Sequence, residues 1–260
     1  IVAAGEVFAG NATAVGIGDI TIFNGGALGL NDNITISNSI SLSSGTGSIS
    51  VNTGSSTLSG NISGSATLNK TGSGTLVLSG SNSQSSFTIS EGEVFAENSN
   101  SVGSGVVTLE DGTTLGISDA ITLTNAITIN AGTGNFSVPT GSSTLSGNIG
   151  GSGYFNKTGA GSLDVTGSNG FEGLTITAGE LFAGNSAALG SGTTTVLDGA
   201  TLGLQNNITV ANEVVFDSGE GLVSVESGTS TLSGTLSSSG YARKVGSGTL
   251  ALTGFNTVEG

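Results

Sequence analysis

Residues 5–9 read Gly-Glu-Val-Phe-Ala, and the motif returns as Gly-Glu-Val-Phe-Ala at 92–96 and as Gly-Glu-Leu-Phe-Ala at 179–183. Both offsets are 87 residues (92 − 5 and 179 − 92). Thr-Leu-Ser-Gly at 57–60 returns at 144–147 and 231–234 with the same offset, and no insertion or deletion separates the copies. This strict length favours units stacked directly on one another over independent domains, whose loops vary in length.

Apolar and polar residues alternate within each unit, as in Ile20-Thr21-Ile22 and Leu250-Ala251-Leu252, and no helical period is present. Such alternation predicts strands with one buried face, and the Gly, Asn, Asp and Ser residues between them are typical of turns. Apolar positions recur about every 20 residues, which is typical of one β-solenoid coil of three short strands. We therefore predict an all-β, parallel β-solenoid with about four coils per unit, in a rod on the order of 55 Å long.

The predicted solenoid is one continuous domain over residues 1–260, with repeats at 1–87, 88–174 and 175–260. Because aromatic residues make up only 5% of the chain, its core is expected to be narrow and aliphatic. Two sets of side chains are predicted to point inward: Phe8, Phe95 and Phe182, and Leu28, Leu115 and Leu202. Three sets of glycines are predicted to form corners, with positive φ or a close approach of the backbone: Gly25, Gly112 and Gly199; Gly29, Gly116 and Gly203; and Gly47, Gly134 and Gly221. The competing architecture, three β-sandwich domains, predicts linkers and a bulky buried aromatic.

The formal net charge is −14, and the four basic residues are Lys70, Lys157, Arg243 and Lys244. Lys70, Lys157 and Lys244 share one repeat position. This balance argues against nucleic acid and anionic membranes as partners. The chain contains no Cys, which allows either redox compartment, and no apolar stretch long enough to span a membrane. It does not start with Met and shows no signal peptide, so we expect a mature or internal segment of a longer protein.

Candidate catalytic groups are few, because the chain has no His, no Cys and a single Arg. The nearest acidic pairs are Glu91/Glu93 and Glu110/Asp111, while Glu172 stands alone. Glu93 returns as Glu6 and Glu180, which is typical of a solvated strand face rather than of a catalytic site. We therefore expect no enzyme activity, no catalytic residue, no cofactor and no metal ligand. Calcium binding stays an alternative because Glu110, Asp111 and Asp198 fall in one turn region, although no calcium-binding nonapeptide motif is present.

Recurrent asparagines are predicted to hydrogen-bond the backbone at turns. They form two sets, Asn38, Asn125 and Asn212, and Asn11, Asn98 and Asn185. The two tyrosines, Tyr154 and Tyr241, replace Thr67 of the first unit and leave open that a sugar stacks on an exposed ring.

One segment resembles a known family. Gly72-Ser-Gly-Thr-Leu-Val-Leu-Ser-Gly-Ser-Asn82 is followed by Thr88-Ile-Ser-Glu-Gly-Glu-Val94, with counterparts at 161–181 and 248–257. These stretches resemble the autotransporter-associated β-strand repeat, also called the passenger-associated transport repeat, of bacterial surface proteins. The stretches 98–105 and 185–192 are similar to the segment that follows it in that family. The first copy departs from the family at Gln84-Ser85-Ser86, where a turn with Gly is usual. The resemblance implies a right-handed parallel β-helix in an exported, surface-displayed protein, and it carries no catalytic residues.

Two functional hypotheses follow. The first is a structural extracellular rod, a bacterial surface stalk or filament. The second is an adhesin that recognises glycans, or a host or neighbouring-cell surface protein, through a lateral face. Ile1 corresponds to Thr88, and Gly260 to Gly173, so the two ends joined would read as one more repeat junction lacking a single residue. We therefore expect head-to-tail self-association or covalent continuation into further repeats.

Overall fold

The computed structural model describes residues 1–217 and 219–258, and within them the chain is a parallel β-solenoid of about 12 turns. Strands of successive turns pair in parallel, and the described residues contain no helix. No described segment forms a helix that could cross a membrane. The all-β parallel solenoid predicted from the sequence is confirmed, whereas its right-handed winding stays a prediction.

The solenoid has three faces, and each turn of the chain visits face 3, face 2 and face 1 in that order. Face 1 is one uninterrupted 12-stranded sheet. Its strands are β4 (Thr35–Ile36), β7 (Ser55–Leu58), β10 (Thr75–Leu78), β12 (Glu93–Ala96), β14 (Thr114–Ile117), β17 (Thr133–Ser137), β20 (Tyr154–Thr158), β22 (Gly173–Ile176), β24 (Thr194–Val196), β27 (Val214–Phe216), β30 (Leu236–Ser238) and β33 (Thr257–Val258).

Faces 2 and 3 are each divided into two sheets by turns that lack a strand, at 166–172 and 184–193 on face 2 and at 79–85 and 97–105 on face 3. Face 2 contains β1 (Gly5–Ala9), β3 (Gly26–Leu30), β6 (Thr46–Val51), β9 (Thr67–Thr71), β11 (Ser86–Ile89), β13 (Val106–Leu109), β16 (Ile127–Ile129) and β19 (Ile149–Gly150), then β26 (Thr209–Val210), β29 (Thr229–Leu232) and β32 (Thr249–Leu252). Face 3 contains β2 (Ile20–Ile22), β5 (Ile40–Leu42) and β8 (Ile62–Ser63), then β15 (Thr122–Leu123), β18 (Ser142–Leu145), β21 (Ser162–Val165), β23 (Glu180–Ala183), β25 (Thr201–Leu204), β28 (Glu220–Ser224) and β31 (Tyr241–Val245).

The 87-residue unit is longer than a whole number of turns. The repeated Glu-[Val/Leu]-Phe-Ala motif lies in β1, β12 and β23, which belong to faces 2, 1 and 3 in turn. Paired residues of adjacent turns are 18 residues apart at Thr75 and Glu93, and 22 apart at Ile127 and Ile149. Each unit therefore makes four complete turns and then advances by one face. A side chain at a given repeat position consequently lies on a different face of the rod in each of the three units.

The inward orientation predicted for Leu28, Leu115 and Leu202 is confirmed, because all three are buried. The orientation predicted for the phenylalanines of the motif is wrong: Phe8, Phe95 and Phe182 point outward, and Phe8 is 52% exposed. Each ring covers a glycine of the paired strand, at Gly29, Gly116 and Gly203. A Cβ atom on these glycines would lie 2.5, 2.4 and 2.1 Å from the rings. The glycines thus make room for an aromatic cover on the outer surface.

One of the three predicted glycine corners is confirmed. Gly25, Gly112 and Gly199 have φ values of 77°, 73° and 73°, a conformation that favours glycine. The other two sets are wrong as corners, because they lie within strands. Gly29, Gly116 and Gly203 receive the phenylalanine rings, whereas Gly47, Gly134 and Gly221 face inward beside large apolar side chains such as Ile22, Ile129 and Phe216.

The core is one continuous apolar cluster, which contradicts three separate sandwich domains. Its side chains are mostly Ile, Val and Leu, as predicted, but five phenylalanines are also buried: Phe87, Phe136, Phe155, Phe171 and Phe216. Phe136 and Phe155 stack with their ring centroids 4.0 Å apart, and Phe171 lies 5.2 Å from Phe155. The expectation of a narrow, aliphatic core is therefore wrong in the middle of the rod, where phenylalanine rings pack together.

Candidate functional site

Two of the four cations lie in the core. Lys70 on β9 and Lys157 on β20 are fully buried, each two residues after an inward apolar side chain, Leu68 or Phe155. Because residues two apart on a strand share a face, this spacing turns each lysine inward. The sequence interpretation noted the recurrence of these lysines but missed their burial, although the same alternation carries the signal.

Each buried ammonium group links two successive turns. The Nζ atom of Lys70 donates to the carbonyl of Gly72 in its own turn at 2.6 Å, and to the carbonyl of Glu91 in the next turn at 3.1 Å. Lys157 donates in the same way to the carbonyl of Ala178 in the next turn at 3.1 Å. Its partners in its own turn are the carbonyls of Thr158, Gly159 and Gly161, at 2.9, 2.9 and 2.8 Å. We call each arrangement a lysine clamp.

Burial sets the electrostatics of the clamps. Desolvation lowers the pKa of Lys70 to about 8, against the opposing effect of the Glu91 and Glu93 carboxylates. Desolvation likewise lowers the pKa of Lys157 to about 8, opposed by Glu180. The Glu91 carboxylate also accepts the backbone N–H of Gly72 at 3.0 Å, which closes the first clamp. Because both ammonium groups are enclosed and bonded to carbonyls, the arrangement suits holding turns together rather than nucleophilic chemistry.

The third lysine makes the contacts of the clamp that lie within its own turn. Lys244 lies on β31, which ends its sheet, and its Nζ atom donates to the carbonyls of Val245 at 2.9 Å and Gly246 at 2.7 Å in its own turn. Its side chain is exposed, unlike those of Lys70 and Lys157. The neighbouring Arg243 forms an ion pair with Glu220 at 3.1 Å, in which both side chains are largely exposed. Such an exposed pair contributes little to stability.

The turn role predicted for the asparagines is confirmed. The side-chain amides of Asn38, Asn125 and Asn212 donate to the glycine carbonyls at 16 and 18, 103 and 105, and 190 and 192 of the preceding turn. Asn98 donates to the carbonyls of Ser79 and Gly80, and Asn185 to those of Thr166 and Gly167. Asn11, in the first turn, accepts the backbone N–H of Thr13 instead.

Asp111 and Asp198, two of the acidic residues considered as calcium ligands, accept hydrogen bonds from backbone N–H groups of the next solenoid turn. Oδ1 of Asp111 accepts from Thr133 at 2.8 Å, and Oδ1 of Asp198 accepts from Glu220 at 2.8 Å. Asn24 occupies the same repeat position and accepts from Thr46 at 3.0 Å with its neutral amide. Within residues 1–217 and 219–258, no group of three or more His, Cys, Asp or Glu side chains could hold a metal ion. The expected absence of metal and catalytic residues stays a prediction.

The Asn24 comparison makes the role of the charge testable. We expect Asp111→Asn to change the free energy of unfolding by less than about 0.5 kcal/mol, because an amide oxygen can accept the same bond. Asp111→Ala removes the acceptor and should cost about 1 kcal/mol. Urea unfolding with and without calcium measures both variants. If Asp111→Asn lost as much stability as Asp111→Ala, the carboxylate would have a further role. The same would follow if calcium stabilised the native chain but neither variant.

The departure of the first copy at Gln84 places a polar side chain in the core. Gln84 is fully buried at the repeat position of Phe171, and its Nε2 donates to the carbonyl of Val102 at 3.1 Å. Its Oε1 has no hydrogen-bond partner among the described residues. A buried acceptor without a partner is costly, so this turn is a weak point of the first unit.

The geometry defines a structural class: a parallel β-solenoid whose turns are joined by recurrent lysine, asparagine and acid contacts. A scan against protein families matches the passenger-associated-transport-repeat at residues 68–94, 155–181 and 243–260. The chain thus carries passenger-associated transport repeats at three positions, and each match contains one of the three lysines. Such repeats occur in autotransporter passengers, which are secreted or surface proteins. Searches of curated proteins and of solved structures found no match.

Proposed function

We propose that this chain is a segment of a structural rod, a stalk or filament displayed at the surface of a bacterium, with no enzymatic role. One observation carries the proposal: the sheet of face 1 runs unbroken through 12 strands, from β4 to β33. Each turn is therefore hydrogen-bonded to the next, and force along the axis passes through backbone pairing rather than through loops. The extracellular location is supported by the passenger-associated transport repeats.

The contacts between turns support a stiff shaft. The lysine clamps of Lys70 and Lys157 and the amide bonds of Asn125 and Asn212 all join one turn to a neighbouring one. Because these contacts recur with the 87-residue unit, adding units lengthens the rod without new kinds of contact. A repeat of constant length is suited to setting a distance from the cell surface.

Particle length tests the rod proposal. Twelve turns at the spacing of neighbouring strands give a rod on the order of 55 Å long. A variant with residues 88–174 duplicated in frame adds four turns and one face, so its length should grow by about 20 Å. Small-angle scattering or electron microscopy of both chains measures this difference. A compact particle, or a duplication that leaves the length unchanged, would contradict the proposal.

We also propose that the end faces receive further turns, from additional repeats or from another copy of the chain. Within residues 1–217 and 219–258, the Lys244 ammonium group donates to carbonyls of its own turn, whereas Lys70 and Lys157 also donate to a carbonyl of the following turn. Leu252 is 44% exposed, although Leu78 and Val165 at the same repeat position are buried. Rods whose lengths are multiples of about 55 Å at rising concentration are the expected result for residues 1–260. A single length at every concentration would contradict stacking between copies.

The second functional candidate, a lateral binding role, is favoured by one specific observation. Tyr154 is 52% exposed on face 1, with its ring beside a polar groove. Core packing does not account for an exposed aromatic side chain at this position.

A further inference from the structure

The groove beside Tyr154 has a volume of about 380 Å³ and opens on face 1. Its wall includes Tyr154, Glu172, Thr175, Thr193 and Thr195, from three successive turns. An aromatic ring, a carboxylate and several hydroxyl groups therefore line one concave surface. An exposed ring beside hydrogen-bonding groups suits a ligand that has both an apolar face and hydroxyl groups.

The first repeat shows that the fold itself does not need the exposed ring. Tyr154 pairs with Gly173, and a Cβ atom on Gly173 would lie 2.9 Å from the tyrosine ring. The corresponding pair in the first unit is Thr67 and Ser86, whose hydroxyl groups share a hydrogen bond of 2.7 Å. The first unit thus closes this position with a polar contact. The second unit instead lays an aromatic ring over a glycine and leaves half of the side chain in solvent.

The polar groups of the groove are available to a ligand. Glu172 is exposed, and its carboxylate has no hydrogen-bond or ion-pair partner within residues 1–217 and 219–258. Thr175 and Thr195 pair across β22 and β24, so their outward hydroxyl groups lie one strand spacing apart, about 4.8 Å. Thr193 is held by a bond from its Oγ1 to Glu213 at 3.0 Å. The free acceptor and the two hydroxyls therefore line the same groove as the ring.

We propose that this groove binds a neutral oligosaccharide. The apolar C–H face of one pyranose ring stacks on Tyr154, and its hydroxyl groups donate to Glu172 and exchange hydrogen bonds with Thr175 and Thr195. The net charge of −14 and the free carboxylate repel sialylated or sulfated sugars, which selects neutral ones. Binding goes beyond the rod role, and a rod without this site would keep its length.

The binding test uses maltotriose, chitotriose and laminaritriose as neutral probes and 3′-sialyllactose as the anionic probe. Saturation-transfer NMR on the 260-residue chain should detect at least one neutral probe with a Kd on the order of 1 mM. Tyr154→Thr, which installs the residue of the first unit, should weaken that binding about tenfold because the stacking surface is lost. Tyr241→Thr is the matched control: Tyr241 is also exposed but lies on β31, at the end of its sheet, and its loss should leave binding unchanged.

A transplant tests whether the named groups suffice. Thr67→Tyr, Ser85→Glu and Ser86→Gly together place the same ring, carboxylate and glycine on face 2, where Thr88 and Thr108 already match Thr175 and Thr195. This variant should bind two probe molecules for each chain. No binding of any neutral probe, unchanged binding by folded Tyr154→Thr, or equal binding of 3′-sialyllactose would each overturn the proposal. Circular dichroism and particle length, measured in parallel, distinguish a failure of the binding proposal from a failure of the rod proposal.

Discussion

Replacing Phe155 with alanine should lower the free energy of unfolding by about 3–5 kcal/mol, because it removes a buried ring from close packing. Phe155 lies between Phe136, stacked at 4.0 Å, and Phe171, at 5.2 Å. The two flanking rings belong to neighbouring turns that are hydrogen-bonded elsewhere, so the turns cannot close the cavity without breaking backbone pairing. Urea unfolding, with hydrogen exchange of the amides in β17, β20 and β22, measures the loss and locates it.

Two controls isolate the stack. Phe155→Leu installs the residue that the first unit has at this position, Leu68, and should cost roughly 1 kcal/mol. Phe182→Ala removes a ring of the outer surface that covers Gly203, and should cost less than Phe155→Ala because that ring is only partly buried. Equal losses in the free energy of unfolding for Phe155→Ala and Phe182→Ala would show that the buried stack contributes no more to stability than a ring on the outer surface. Since solenoid units can unfold separately, the exchange pattern decides whether the damage spreads.

The period of two along the strands and the fixed 87-residue spacing were sufficient to predict the solenoid. Strand alternation depends only on neighbouring residues, and direct stacking of the units explains their constant length. Both features can therefore be recognised without knowledge of distant contacts. The placement of repeats on different faces could not be predicted in the same way. Turn length varies between 18 and 22 residues, and a small error per turn accumulates to a whole face over one unit.

The inward or outward orientation of the repeated phenylalanines needed information that the motif lacks. In Glu-Val-Phe-Ala two apolar residues are adjacent, and alternation buries either Val94 or Phe95 but not both. The glycine of the paired strand decides the register: Gly116 leaves space on the outer surface for the Phe95 ring. Because a shift of one residue exchanges the two faces of a strand, this contact reverses the prediction for the whole motif.

Only part of the candidate site could be predicted from the sequence, namely the asparagine contacts. Asparagine amides bond to backbone groups close to turns, so their role follows from residue type and position. The lysines were missed because a charged side chain is normally expected in water. Their burial becomes favourable only when carbonyls from two turns converge on one ammonium group, as the carbonyls of Gly72 and Glu91 do at Lys70. That convergence depends on the stacking of turns and is invisible along one strand.

The lysine clamps should make the chain more stable as the pH rises from about 8 to about 10.5. The pKa of Lys70 and of Lys157 is about 8 in the folded chain, against 10.5 for an ordinary lysine. Between these values the unfolded state binds more protons than the folded state, so the free energy of unfolding increases with pH. The difference in pKa corresponds to about 3 kcal/mol for each lysine, and the increase levels off above the ordinary pKa. Below about pH 8 both states carry the charge, and the full cost of burying it remains.

Urea unfolding at pH 7, 8, 9 and 10 measures the expected rise, and substitutions assign it. Lys70→Met or Lys157→Met should remove about half of the increase, and the double variant nearly all of it, because methionine fills the space of the stem without a titrating group. Lys244→Met removes the exposed lysine of the third repeat and should leave the rise in place. A flat profile for the native chain, or an equal rise in the double variant, would show that the buried ammonium groups do not titrate as the clamps require. A rise that is halved in each single variant and absent from the double variant would establish that burying the charge of Lys70 and of Lys157 has a free-energy cost, which deprotonation relieves.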